Sequence, residues 1–511
     1  MLTFLKTLIA GRSRQASTAQ NIVWNYIGYL YQVGISFGLT AYITRHLAVP
    51  EYGLFLFVMS LSSTLYLLDM GISSVLVQAY VAEASHQNAE GLNALLSTSF
   101  VALGVLGAAG AAIFSGIAAL LPGPFKIPGA YLHEASIVFL IAACIVLVSF
   151  PGMAVEQAYQ ASNRFDRINH VQLISTTVQA VLSIYVLAAG FRIVGLALAV
   201  LAATVLRLAL LGAALPACVP GARLTLHRFE WDRLKPLIAV SKWAFLQNLS
   251  ASLFDLLVWT MIGALGSMRD AALYGLASKL PAQFKNLVDK GANVALPLLS
   301  NAHARNDAAA LQRTYLSFQK LIFGASIPFL LLGCYFARPL IELWAGRPYG
   351  DAAPVMQWLL LAAFAHAVAY SSDLLLYACS KIKEAASISI WSGTVSVVSA
   401  LLLVGRFGAV GLAAGLAISQ LVLHAGWFTL AASRLSGTRL RAITRVWIDG
   451  VAVPFALMAA EVLLIAMTSA RWPELWILAA AVVSGATYLA VWFPRTAMPL
   501  YRQQMAGALQ P

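Results

Sequence analysis

Charged side chains make up only 10% of the 511 residues, against about 25% in a soluble domain, and that scarcity excludes a water-soluble globular protein. Cysteine is nearly as sparse. Cys144, Cys218, Cys334 and Cys379 lie too far apart for a CxxC redox pair or a local zinc cluster, so they read as small packing residues. No Walker A loop, GxSxG elbow, HExxH helix or EF-hand loop occurs, so neither ATP hydrolysis nor a bound metal or cofactor is expected. Long hydrophilic insertions are also missing. The longest outer segments, 122–134 and 337–351, run to about 14 residues, while a domain of its own takes about 50. No enzyme is expected.

What the chain does have is apolar length: 60% hydrophobic residues and a mean hydropathy of +0.79, spread over the whole sequence. A bilayer core takes about 20 helical residues to cross, and fourteen windows satisfy this. They lie near 22–43, 53–80, 95–121, 135–160, 170–190, 193–216, 243–266, 271–299, 315–336, 354–379, 385–404, 408–432, 450–467 and 475–493. The first twenty residues are not read as an export signal, because Lys6 interrupts the run of Leu2, Phe4, Leu5, Leu8 and Ile9. An interfacial amphipathic helix fits better, with Arg12 and Arg14 at the headgroups. With the N-terminus inside, the cytoplasmic segments carry 20 of the Lys and Arg residues and the outer ones 8, a bias that places both termini in the cytoplasm. The net charge of +13 therefore reads as basic cytoplasmic loops, and no nucleic acid partner is expected.

An internal repeat organises the windows. Tyr52-Gly53 recurs as Tyr274-Gly275, Asp69-Met70-Gly71 as Asp289-Lys290-Gly291, Ala158-Tyr159-Gln160-Ala161-Ser162 as Leu376-Tyr377-Ala378-Cys379-Ser380, and Val194-Gly195-Leu196-Ala197 as Val410-Gly411-Leu412-Ala413. The order is the same and the offsets drift slowly, so the unit is six helices. Six being even, the two units enter the membrane from the same side, as parallel repeats. The expected organisation is an interfacial segment at 1–20, a six-helix lobe at 21–217, a basic linker at 218–242, a second six-helix lobe at 243–435, and two further helices with a tail at 436–511. The fold class is all-α and polytopic.

Eleven charged residues fall inside the windows: Asp69, Glu156, Arg207, Asp255, Lys279, Lys285, Asp289, Lys290, Lys320, Asp373 and Glu461. At about 2.5–3.5 kcal/mol each on an insertion scale, they must mostly face protein or water. Arg207, Lys290 and Lys320 lie near cytoplasmic ends and are able to snorkel. Lys279 and Lys290, eleven positions apart, share one stripe of a helix, separated by about 16 Å along its axis. Lys285 faces Asp289 at i+4, a spacing that suits an ion pair. Lys279 has no carboxylate at i±3 or i±4, so either another helix supplies one or a hydrated cavity receives an anion such as a pyrophosphate. Asn25, Tyr29 and Gln32 form a polar stripe in the first window, matched in the seventh by Gln247 or Asn248 and then Asp255. Such stripes either hydrogen-bond sugar hydroxyls, with Tyr26, Tyr29 or Tyr31 offering a flat face, or join helices. Asp69 and Asp289, each two residues before a glycine, read as a structural or gating lock, with Arg164 a candidate partner for Asp69. His366 and His424 either titrate with a coupling proton or are satisfied interior histidines.

The two six-helix lobes, the basic linker, the Tyr52-Gly53 opening and Asp69-x-Gly71 resemble the multidrug/oligosaccharidyl-lipid/polysaccharide exporter superfamily over roughly residues 20 to 435. Within it the chain is most similar to the polysaccharide transporter family, the O-antigen-type flippases, and its last two helices look like the extra pair of the lipid II flippases. The resemblance implies a substrate, a polyprenyl-pyrophosphate-linked oligosaccharide carried to the outer leaflet by alternating access in a cavity between the lobes. It also implies a monomer in the inner membrane, working with a polysaccharide polymerase and export machinery and coupled to H+ or Na+ in a manner left open. Substrate contacts fall to Lys279, Lys285, Lys290, Arg207, Asn25, Tyr29, Gln32, Gln247 and Asp255. A cation-coupled drug exporter of the same superfamily is the alternative, but the first window contains no acid. A membrane polymerase or ligase is the least favoured.

Overall fold

The computed structural model describes residues 18–69, 71–85, 88–120, 125–219, 221–223, 229–292, 295–468 and 473–498, with the backbone alone at 18–27, 67, 74, 240, 242–255, 291–292, 474, 478 and 497. Most of the expected interfacial segment, 1–17, lies outside the described residues. Every regular element among the described residues is helical, as a chain in lipid requires when it must satisfy its own backbone hydrogen bonds. The chain forms two compact units, Met1–Ala272 and Leu273–Pro511.

In the first unit, α1 (Thr18–His46) is followed by α2 (Val49–Thr64), a tight 3-10 turn (Leu65–Asp69) and α3 (Ile72–Ser85). The single window at 53–80 is thus broken in its middle. Asp69 is the reason: its carboxylate oxygens accept the Ser73 amide at 3.1 and 3.2 Å, starting a new helix as an N-terminal cap does, while Gly71 takes a φ of +76°. Four long helices follow, α4 (Ala89–Leu120), α5 (Leu132–Ala161), α6 (Phe165–Ala188) and α7 (Arg192–Cys218). Their core holds Tyr80, Phe150 and Tyr159. The two phenols are satisfied inside it, Tyr80 against Ser99 Oγ at 2.5 Å and Tyr159 donating to the Leu211 carbonyl at 2.7 Å. The long α8 (Trp231–Leu265) leads to α9 (Met268–Ala277). Gly53, the glycine of the repeated Tyr-Gly pair, lies against the start of α9, where a Cβ would sit 1.7 Å from the Met268 carbonyl oxygen.

In the second unit, α10 (Lys279–Ala292) and α11 (Ala295–Ala304) continue the chain. Pro281 clashes with the carbonyl four residues back, at Ala277, where α9 ends. The window at 271–299 is therefore interrupted near Ser278 and is not one uniform helix. Next come α12 (Ala308–Tyr335), a short α13 (Ala337–Ala345), α14 (Ala352–Ala378) and α15 (Ile382–Ser419), joined through a π turn (Gln420–Ala425) to α16 (Gly426–Leu435). The helical run Ile382–Leu435 has 54 residues, about 80 Å if straight and more than twice a bilayer core. It is folded back on itself at Gly408, whose φ is +55°. Ser399 Oγ donates to the Gly415 carbonyl at 2.9 Å, and a Cβ on Gly415 would meet the Ala400 amide nitrogen at 2.6 Å.

The last two helices, α17 (Leu440–Thr468) and α18 (Glu474–Trp492), dock on α12. Trp447 Nε1 donates to Gln319 Oε1 at 3.1 Å and its ring stacks on Phe323. Tyr488 donates to the Gly324 carbonyl at 2.8 Å. Lys320 lies with its stem along Gly450.

Nine helices among the described residues are long and apolar enough to cross a membrane, and the hairpin at Gly408 accounts for two of the sequence windows. The windows at 22–43, 53–80, 243–266 and 271–299 fall on helices that are shorter, broken or described in part. The repeat is visible in backbone geometry. Gly195 and Gly411 each sit four residues after a phenylalanine whose Cβ a glycine Cβ would meet, Phe191 at 2.6 Å and Phe407 at 2.8 Å. Asn163 and Ser380, at matching turns, both have a φ between +50° and +60°.

Candidate functional site

The first unit contains a polar cavity of about 190 Å³ walled by α5, α6 and α7, with Ser149, Glu156, Gln172, Thr176, Gln179 and Arg207 among its lining. Arg207 Nη2 donates to Glu156 Oε2 at 2.7 Å, both side chains half-buried. Arg207 therefore does not snorkel. It spends its charge on the carboxylate, so the cavity is polar and close to neutral. Gln172 Nε2 donates to Thr176 Oγ1 at 3.0 Å, and Gln179 lines the same space.

The expected sugar stripe on α1 divides. Tyr29 is half-buried and Gln32 exposed, while Asn25 lies where only the backbone is described, as do Gln247 and Asp255 on α8. Tyr31 shares a 2.7 Å hydrogen bond with Thr177 Oγ1 of α6, a helix-joining contact. Asp69, fully committed to the Ser73 amide, has no cation within 4 Å among the described residues, and Arg164 pairs instead with Asp166 at 3.2 Å. The cation that ties the linker side of this unit together is Arg233, bonded to Glu230 at 2.6 Å and Glu83 at 2.7 Å. The Glu230 carboxylate holds that guanidinium above its ordinary pKa.

The second unit gathers its titratable groups around α10 and α14. Lys279 is half-buried at the start of α10, whereas Lys285 and Lys290 are exposed. The expected Lys285–Asp289 pair does not form. Asp289 Oδ1 instead meets His366 Nε2 of α14 at 2.8 Å, and among the described residues no carboxylate lies within 4 Å of Lys285. His366 stacks at 6.2 Å centroid separation, nearly parallel, over His424 of the π turn. His424 Nδ1 is 3.1 Å from Ser392 Oγ of α15, and its ring meets Phe428 edge-on. Neither histidine is isolated on an apolar helix. Along α14, His366, Tyr370, Asp373 and Tyr377 recur at i, i+4, i+7 and i+11 and keep partial or full exposure, while residues between them, including Val368, Leu374 and Leu375, are buried. That spacing is one helical face.

The model of a family described as polysaccharide biosynthesis protein matches residues 42–354. This chain belongs to that family. It is also 24% identical over 477 residues, covering 89% of this chain and 91% of the relative, to an uncharacterised membrane protein, EpsK, of Bacillus subtilis strain 168. Among solved structures it shares its fold with the lipid II flippase MurJ in an inward closed conformation (TM-score 0.73, 12% identity, 95% of this chain and 100% of that one). A multidrug resistance MATE family transporter in an inward-facing conformation is a second neighbour (TM-score 0.66, 16% identity, 82% and 98%). The fold is that of membrane transporters and flippases, and this member of the polysaccharide biosynthesis family is a multi-pass membrane protein.

Sequence reasoning about this family member passed over two features. The α14 stripe was legible as an i, i+4, i+7, i+11 spacing of His366, Tyr370, Asp373 and Tyr377. The junction of Asp289 with His366 and His424 was not, because it joins residues from three elements that no local pattern connects.

Proposed function

We propose that this protein is a flippase that carries a polyprenyl-pyrophosphate-linked oligosaccharide from the cytoplasmic to the outer leaflet of the inner membrane, ahead of O-antigen, capsule or exopolysaccharide assembly. The observation that carries the reading is α10, a helix of a polysaccharide biosynthesis family member with three lysines and one aspartate, two of the lysines exposed. Clustered cations in a membrane protein call for water or an anion, and a pyrophosphate headgroup supplies one. The same charge disfavours a cationic drug as substrate. The cavity of about 190 Å³ at Gln172, Gln179 and Thr176 presents amides and hydroxyls that match the hydroxyls of a sugar. The lipid tail stays in the bilayer while access alternates, and a polymerase and export machinery take over the product outside.

Deletion of the gene in its source organism should leave lipid-linked oligosaccharide accumulating in the inner membrane, protected from periodate added to intact spheroplasts. Absence of accumulation, or full accessibility to periodate, overturns the reading. Reporter fusions after Gly266 and Ser436 should report outside and inside respectively. An inside signal at Gly266 overturns the proposed orientation.

A further inference from the structure

The geometry points to a proton-binding site formed by Asp289, His366 and His424 in the second unit, one proton shared by two stacked imidazoles and held to α10 through the Asp289 carboxylate. His366 is near the middle of the 27-residue α14, hence near mid-membrane depth in a helix that crosses the bilayer. The arrangement has three parts that a single satisfied interior histidine does not need. One is the acceptor: Asp289 Oδ1 sits 2.8 Å from His366 Nε2, positioned to take the N–H of a neutral ring or to neutralise an imidazolium. A second is the neighbouring ring, 6.2 Å away and tilted by 13°, so that two positive charges on the pair repel and only one proton is held at a time. The third is a polar partner for the second ring, since His424 Nδ1 lies against the buried Ser392 Oγ at 3.1 Å, a hydroxyl able both to donate and to accept.

The donor set is not that of a metal centre. The rings are stacked, His424 directs Nδ1 to Ser392, and no group of three His, Cys, Asp or Glu side chains suited to a metal ion occurs among the described residues. The charges around the pair come from known elements. From α10 there are Lys285 and Asp289, the latter in contact with His366. From α14 there are Tyr370, tilted against His366 at 5.4 Å, and Asp373 further along the same stripe. Ser392 and Phe428 close the site from α15 and α16. From α12, Phe329 stacks on Phe284 of α10 and Phe323 packs against Phe364 of α14, while its own Lys320 lies along Gly450. Binding takes one proton from water and converts one imidazole to imidazolium, no other bond changing. It strengthens the tie from α14 to α10, because an ion pair replaces a neutral hydrogen bond. Loss of the proton weakens that tie, so proton exchange bears directly on the helix that carries Lys279, Lys285 and Lys290.

The test needs no substrate. Full-length protein with isotope-labelled histidine, in lipid nanodiscs, is titrated by NMR from about pH 5 to about pH 8.5, the range that brackets histidine. The His366 and His424 signals are assigned through His366→Gln and His424→Gln. The expected result is that the two signals move together, with a summed uptake of one proton. Removing either ring, or making Asp289→Asn, should shift the midpoint of the remaining signal by about half a pH unit or more. Spin labels at Leu287→Cys and Tyr377→Cys, both exposed positions, should show an α10 to α14 distance distribution that changes with pH in the parent and not in Asp289→Asn. Imidazoles that each keep one neutral tautomer over the whole range overturn the site. A pair that titrates with no pH-dependent distance overturns the link to α10.

Discussion

The two units treat intramembrane charge in opposite ways. In the first, Glu156 and Arg207 neutralise each other across neighbouring helices and Asp69 is consumed in starting α3. In the second, three lysines share α10 with one aspartate, and that aspartate turns away from Lys285 to His366. Yet the backbones agree: Gly195 and Gly411 pack against equivalent phenylalanines, and equivalent turns hold Asn163 and Ser380 in the left-handed region. The devices that bend and pack helices recur in the two units, while the charges at matching places differ. A matching motif such as Asp69-x-Gly71 and Asp289-x-Gly291 therefore transmits position without transmitting role.

The largest effects should come from the shared backbone devices. Gly195→Leu in the first unit and Gly411→Leu in the second both drive a side chain onto a phenylalanine Cβ at under 3 Å, and each should cost about 3 kcal/mol by overpacking. Thermal unfolding in detergent would read this as a fall in Tm, with Gly34→Leu, where nothing lies within 4 Å, near the parent. Equal losses sharpen the view that the two units share a frame, and a loss confined to one unit breaks it.

Intermediate effects should separate the charges. Arg207→Gln alone strands a half-buried carboxylate and should cost about 1–3 kcal/mol, discounted for partial exposure, whereas Glu156→Gln with Arg207→Gln should recover most of it. Lys285→Gln leaves no partner behind and should change stability by less than about 0.5 kcal/mol. Abundance and Tm measured across the four proteins check the contrast, and a destabilised Lys285→Gln would erase it.

The smallest effect belongs to Asp69. Because asparagine caps helices as well as aspartate, Asp69→Asn should stay within a few tenths of a kcal/mol, and Asp69→Ala should lose about 1 kcal/mol. A large loss in Asp69→Asn, read by the same melting curves, would show that its charge does more than cap α3.

Much of this was legible from the sequence. Apolar windows bounded the helices, and the window boundary near Gly408 coincided with a reversal that helical hydrogen bonding alone runs through. The breaks at Asp69 and Pro281 left apolar content unchanged, so a hydropathy window passed over them. The pairing of Arg207 was hidden for another reason. Glu156 is fifty-one residues away, and a cation in an apolar window looks the same in sequence whether it snorkels or pairs inward. Asp289 misled because Lys285, at i−4, was a sufficient partner on its own helix, and only tertiary packing brings His366 closer.

One measurement reaches the central claim that the cations of the second unit serve the substrate and the paired charges of the first serve the fold. Lipid-linked oligosaccharide accumulated in the inner membrane, normalised to protein abundance, should be compared for Lys279→Gln/Lys285→Gln/Lys290→Gln and for Glu156→Gln/Arg207→Gln. The triple variant should be present at parental abundance and accumulate substrate at least about tenfold, the scale of a lost charge contact at about 1.4 kcal/mol, while the double variant exports normally. Normal export by the triple variant, with its abundance intact, would contradict the account.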